Sequence, residues 1–309
     1  MKWLLLLSAF FYQTIYGQYS LELNLQKDNI YHLKINSSNQ FSGEMEGHSV
    51  KGSYTIRGSM HFKVVEASAA GYQLDVAYDS IDIQMKGPMG KFEFNSADID
   101  QAGSGYGNIS EKQVRITLLK NGAISKIENK DTSGFMVRIK GNPMFAMLKQ
   151  MMMMGGFKQS MGSKAMKDAM KENIEKITAL YPDHKVKINE SWVNEIRPDS
   201  AHTNWIKTTY QLISYQDGIA RIKGHTETGA SSSDKQPKSM FGTVIGMSGF
   251  NITGQSESLI EINTNTGWIR EASVKNDFKG NLKMSGKQSP NQPESHLLQL
   301  NGDTNISGF

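Results

Sequence analysis

Histidines are the side chains best suited to metal or proton chemistry, and the seven in this chain are dispersed: His32, His48, His61, His184, His202, His225 and His296. Glu44, Glu46 and His48 come nearest to a ligand spacing. On one strand they would point the same way and could hold a divalent ion. A solvated outer strand face gives the same alternation, so the pattern assigns no metal. His225 and Glu227 share a strand face on the same terms, and Asp183-His184 after Pro182 reads as a loop. Nucleophile patterns are incomplete. Gly-x-Ser-x-Gly does not occur, and Gly246-Met247-Ser248-Gly249 falls short of it. Ser232-Ser233-Asp234-Lys235 contains Ser-x-x-Lys, but within a Ser-rich loop and not at a helix start. The run Gly103-Ser104-Gly105-Tyr106-Gly107 has no helix after it to complete a phosphate cradle. These readings name no catalytic residue, no metal ligand and no cofactor.

The stronger chemical signal is apolar. Residues 136–170 hold ten of the eighteen methionines, including the run Met151-Met152-Met153-Met154. Asn142 and Pro143 make a good helix start, as cap and first helical residue. Met144, Met147, Leu148 and Met151 then fall at i, i+3, i+4 and i+7, and Gly155-Gly156 stops the helix. A second helix is expected over 163–180, with Met166, Met170, Ile174 and Ile177 as its stripe and Pro182 beyond its end. Methionine is flexible and polarizable, so it fills irregular gaps and grips ligands of varied shape. Burying five or six such side chains is worth on the order of 10 kcal/mol, so something must cover this face. Ordinary packing on the protein's own sheet is one cover. A lid over an apolar cavity is the other, with Met144, Met147, Leu148, Met151 and Met154 against the ligand. Twelve residues, 143–154, are too few to span a bilayer.

The elements that would position this insert are strands. Leu21, Leu23 and Leu25 alternate with polar residues before a turn at Lys27-Asp28-Asn29, and Tyr31, Leu33 and Ile35 continue the period of two. Met60, Phe62 and Val64 share one face, as do Leu74, Val76 and Tyr78. The set Ile81, Ile83, Met85 is slipped by one residue against the preceding set, which predicts a bulge near Asp79-Ser80. Gly87-Pro88-Met89-Gly90, Asn121-Gly122, Asp217-Gly218 and Asn265-Thr266-Gly267 mark hairpin turns. Residues 229–238 and 285–295 read as surface loops. The apparent strand over 50–66 is long enough, at ~3.3 Å per residue, that it must coil, which favours a curved antiparallel sheet or half-barrel. Hairpins on either side of the insert echo each other, notably 114–124 and 259–269, as in a duplication. Shared turn chemistry produces the same echo.

The N-terminus fits a secretory signal: Lys2, an apolar stretch over 3–12, and Gly17 before a cleavage point at Gln18. The chain has no cysteine, so an exported protein of this length relies on its core and not on disulfides, and is periplasmic or secreted. Net charge is +4, and the six arginines are scattered, unlike a nucleic-acid footprint. The segments Gly71-Tyr72-Gln73-Leu74-Asp75-Val76, Ala123-Ile124-Ser125-Lys126-Ile127 and Lys185-Val186-Lys187-Ile188-Asn189-Glu190-Ser191-Trp192 resemble exported Bacteroidota proteins grouped as a domain of unknown function. That resemblance implies a β-rich exported chain and brings no site residues. In plan the chain is also similar to the half-barrels of periplasmic lipoprotein carriers, a likeness of architecture only.

The expectation is a mainly β protein: signal 1–17, a first β-rich half 18–135, the Met-rich insert 136–182 on the concave face, and a second half 183–309. Its function is expected to be non-enzymatic binding of an apolar or lipid-like ligand between sheet and insert. A structural or protein-interaction module with a filled core is the alternative, and a hydrolase the third reading. Neither nucleic acid nor a transmembrane span after signal cleavage is expected.

Overall fold

A computed structural model of the chain describes residues 17–45, 48–87, 90–96, 113–129, 171, 174–197, 204–232, 247–284 and 294–309. Twelve strands follow one another: β1 (Ile30–Met45), β2 (His48–Ala67), β3 (Gly71–Gly87), β4 (Gly90–Asn95), β5 (Val114–Leu119), β6 (Ile124–Asn129), β7 (Ser191–Ile196), β8 (Asn204–Gln216), β9 (Ile219–Ser232), β10 (Met247–Asn263), β11 (Ile269–Met284) and β12 (Glu294–Gly308). They form one antiparallel sheet in the order β6-β5-β3-β2-β1-β12-β11-β10-β9-β8-β7, with β4 on the upper part of β3. Both β-rich halves thus belong to one open sheet, joined where β12 pairs with β1.

Hairpin chemistry sets the register. Asp217 and Gly218 both have positive φ, as do Gly122 and Gly267, which the tight turns between strands require. The expected bulge is present. Ser59 pairs with Ser80 and Met60 with Tyr78, which leaves Asp79 as the extra residue. Asp79 is thereby aimed at His61, Oδ1 to Nδ1 at 2.6 Å, on the outer face. The long second strand runs from His48 to Ala67, slightly beyond the expected span. Residues 229–232, expected as a loop, instead complete β9 through pairs such as Gly229 with Thr253 and Ala230 with Ile252.

The N-terminal segment departs from its pattern. Leu21, Leu23 and Leu25 are buried at 3%, 1% and 3% exposure, yet they form no strand. Their backbone bonds go instead to turns. The Leu23 N–H donates to Lys120 O at 2.9 Å, and the Asn24 N–H to Thr266 O at 2.8 Å. Lys120 lies in the turn between β5 and β6, and Thr266 between β10 and β11. In a flat sheet those turns would be six strand spacings apart, roughly 29 Å at ~4.8 Å each. Two consecutive residues span them here, so the sheet curls strongly about the covering segment.

That end of the curl is the core. Leu33, Phe62, Val64, Leu74, Ile116, Leu118, Leu212, Ile222 and Ile262 are each at most 1% exposed. Lys171 and residues 174–178 are helical, and Ile174, Leu180 and Tyr181 pack into the same cluster. Thr178 Oγ1 donates to Gly122 O at 2.7 Å, and Tyr181 Oη donates to Gly267 O. Glu175 accepts the Ile124 N–H at 2.8 Å. Of the second helix expected over 163–180, the described residues give helix at Lys171 and 174–178 alone, and residues 179–181 follow it without helix. The first helix, with Met144, Met147, Leu148, Met151 and Met154, lies outside the described residues, as do residues 1–16 of the expected signal.

The convex face is charged. Lys34, Arg57, Lys63, Arg221, Lys223 and Glu257 alternate with the inward side chains. Lipid contact on that face would bury those charges, at about 2–4 kcal/mol for a Lys or Arg at the bilayer midplane. Among the described residues no helix is long and apolar enough to cross a membrane.

Candidate functional site

Strand pairing lines up the concave side chains in lateral rows, and the rows differ in chemistry. Nearest the core, Ile35, Ile306, Ala272, Ile260, Ile222 and Leu212 form an apolar row across β1, β12, β11, β10, β9 and β8. Two rows farther along, the same strands and β7 present Asn39, Gly302, Asn276, Ser256, Thr226, Thr208 and Asn194. Beyond this polar belt the face turns apolar again. Phe41, Leu300, Phe278 and Ile206 fall in the next row, and Leu298, Ile252 and Ala230 in the one after.

The belt is buried and bonded within itself. Asn39, Thr208 and Ser256 are 3%, 7% and 8% exposed. Asn39 Nδ2 donates to Ser37 Oγ at 2.8 Å, and Ser37 shares a second 2.8 Å bond with Thr304. Ser256 Oγ donates to Asn276 Oδ1 at 2.8 Å, and the Thr208 and Thr226 hydroxyls meet at 2.9 Å. Buried hydroxyls and amides are tolerable only when paired in this way. Burial also raises the Tyr210 phenol, one row below beside Thr208, to about 12.

On the two sides of the belt the packing differs. At the core end, the void among Leu23, Leu33, Ile177, Tyr181 and Trp268 is about 10 Å³, the space of a single water. Beyond the belt lies a cavity of about 340 Å³ lined by Tyr54, Trp205, Ile206, Ala230, Ile252, Phe278, Leu298 and Leu300, with Lys176 from the helical stretch. Tyr54 comes from β2 and Ile206 from β8, at opposite sides of the curl. Phe278 lies against Gly254, where any Cβ would collide with its ring and with the backbone of β11. The glycine therefore sets where the ring sits. Burial of Tyr54 raises its phenol above the usual range.

Among the described residues, the acid–base candidates from the sequence do not come together in one centre. Glu44 pairs with Ser49 and His48 with Met45, so Glu44 and His48 lie on adjacent strands and point to opposite faces. The reading of these residues on one face of a single strand is thereby corrected, and Glu46 lies outside the described residues. Among the described residues no three such ligands converge. His225 bonds Glu257 at 2.6 Å across the strand pair and not Glu227. Asp183-His184 sits in an exposed bend, Nδ1 to Oδ1 at 2.7 Å. What sequence reasoning missed is the belt. Each of its members reads as one break in a strand's alternation, and only the register shows that the breaks coincide.

Residues 69–269 match the model of a family of unknown function, DUF6263, which spans more than half of the chain, so the chain belongs to that family. The match includes all three segments on which the sequence resemblance rests. No curated protein matches the chain. Among solved structures it is similar to lipovitellin, described for its lipid–protein interactions, at 8% identity over 93% of this chain with a TM-score of 0.47. It spans 25% of that lipovitellin chain. It is also similar to the outer membrane protein OprG of Pseudomonas aeruginosa, at 7% identity over 92% of this chain and 97% of that one, TM-score 0.26. A third similarity is to DynF from the dynemicin pathway of Micromonospora chersina, at 8% identity over 92% and 82% of the two chains, TM-score 0.20. Similarities this distant say nothing about function.

Proposed function

We propose that this member of the DUF6263 family is an exported, non-enzymatic binding protein that holds an apolar or lipid-like small molecule on the concave face of its sheet. The observation that carries the reading is the contrast along a single face. The core end is filled to within about 10 Å³, whereas the far end keeps about 340 Å³ between aromatic and aliphatic walls. That space opens to solvent, so its apolar walls would stand against water that a bound apolar molecule displaces. The volume lies within the ~300–1,000 Å³ of small-molecule sites. Export is supported by the tripartite N-terminal pattern and by the absence of cysteine.

The test is dye binding to the full chain, using an environment-sensitive apolar fluorophore. The parent should bind it saturably, and a long-chain fatty acid should displace it. Ala230→Trp puts an indole into the cavity and should abolish binding with an unchanged melting temperature. If the parent fails to bind, or if Ala230→Trp binds equally well, the cavity is not a ligand site. The dry interaction module then takes its place.

A further inference from the structure

On β11 and β12 the innermost residues that line the cavity are Phe278 and Leu300, paired side by side across the two strands. On β10 the matching position is Gly254, which pairs with Phe278 and has no side chain to contribute. The Phe278 ring fills that gap. Its Cδ1 lies within the space that a Cβ on Gly254 would take, so the ring covers the glycine's place on the concave face as well as its own. One side chain thereby walls off two strands, and together with Leu300 it walls off three.

Behind this wall, one row toward the core, stand Asn276 and Ser256, bonded to each other at 2.8 Å. An apolar chain that passed the ring would meet this pair and part it without replacing the bond, so deeper entry is disfavoured. The end of a ligand that reaches the wall is therefore hydrocarbon, because a polar end would give up water against a phenyl ring and a leucine.

Phe41 supplies the contrast. It belongs to the same row, on the other side of Leu300, and its ring lies over Gly52 and reaches Gly87. That ring is also seated on a cross-strand glycine, but it is carried across β2 toward β3, away from β12 and β11. The two seats are alike in packing, and only that of Phe278 borders the inner end of the cavity.

Resting on the proposed binding function, we infer that Phe278, seated on Gly254, is the length gauge of the site. The ligand is a molecule with a hydrocarbon tail, it enters tail foremost, and the tail stops against the ring.

The experiment measures the affinity of the full chain for the straight-chain alcohols from octanol to hexadecanol, by displacement of the apolar fluorophore. In the parent, affinity should rise roughly fourfold for each added methylene and then level off once the tail reaches the wall. Phe278→Ala should move that break to a longer alcohol. Gly254→Ala should push the ring into the cavity and move the break to a shorter one, and adding Phe278→Ala to it should undo the shortening. Phe41→Ala empties the other seat and should leave the break where the parent has it. Affinity that climbs without a break in the parent would overturn the inference, as would a break that stays in place in Phe278→Ala. An equal shift in Phe41→Ala would also overturn it, because the effect would then be a general loosening of the sheet. A Cβ on Gly254 also meets the backbone of β11, so if Gly254→Ala does not fold, the two phenylalanine variants decide the matter alone. The underlying binding reading fails separately: it is lost if no alcohol in the series displaces the fluorophore from the parent.

Discussion

Replacing Leu23 with Ala should destabilise the protein far more than its place outside any strand would indicate. Leu23 is 1% exposed and packs among Leu33, Ile177, Tyr181 and Trp268, where the remaining void is only about 10 Å³. Deleting a buried leucine side chain at a site that cannot collapse costs ~2–5 kcal/mol. The upper part of that range is expected here, because the site's walls come from β1, the helical stretch and the β10–β11 turn, and they cannot close on the gap together. At an m-value of about 3 kcal/mol/M, the urea midpoint should fall by roughly 1 M. The control is its neighbour Glu22→Ala. Glu22 is exposed, and its 3.8 Å approach to Lys120 is a surface pair worth ~0–1 kcal/mol. Urea unfolding followed by tryptophan fluorescence reads both variants. A Leu23→Ala loss below about 0.5 kcal/mol, or a Glu22→Ala loss of equal size, would refute the view that this segment ties the two sides of the curl together.

Other perturbations address charge, hydroxyls and pH. Glu175 is pushed up from the ordinary carboxylate value, chiefly by burial, while its bond from the Ile124 N–H and Lys171 oppose the shift. A raised folded-state value means the contribution is fully present below about 4.5 and lost as pH rises through the folded-state value. Glu175→Gln keeps an acceptor for Ile124, so it should match or exceed the parent at pH 7, with the difference closing toward pH 4.5. Chemical denaturation across that window checks it. Tyr210, held at about 12 by burial, contributes stability that is intact below pH 10 and is lost between 10 and about 12. Alkaline unfolding should therefore coincide with tyrosinate absorbance, and Tyr210→Phe should move it upward. In the belt, Ser256→Ala strips Asn276 Oδ1 of its 2.8 Å donor and should cost ~1–3 kcal/mol by thermal melting.

Much of the architecture was legible in the residues, for reasons that can be named. Asn121-Gly122 and Asp217-Gly218 announce turns because positive φ is costly for most other residues. The slipped apolar set after Tyr78 announced the Asp79 bulge because the side-chain period in a strand is two. Leu21, Leu23 and Leu25 gave the right burial and the wrong partner. A period of two reports an extended chain with one covered side, and it cannot tell a strand in a ladder from a strap bonded to Lys120 and Thr266. Glu44 and His48 read as one strand because nothing in the sequence marked the turn between them, and the register sends them to opposite faces. The belt and cavity were hidden for a related reason. Asn39, Asn276, Ser256, Thr226 and Thr208 lie far apart in sequence, and only pairing across the strands puts them in one row.

Native mass spectrometry of the protein purified from its own host tests the binding claim most directly. The parent should carry an additional small apolar molecule that is released on unfolding, and Ala230→Trp should be recovered without it. A bare polypeptide mass for the parent, unchanged after incubation with dodecanoate, would contradict the account.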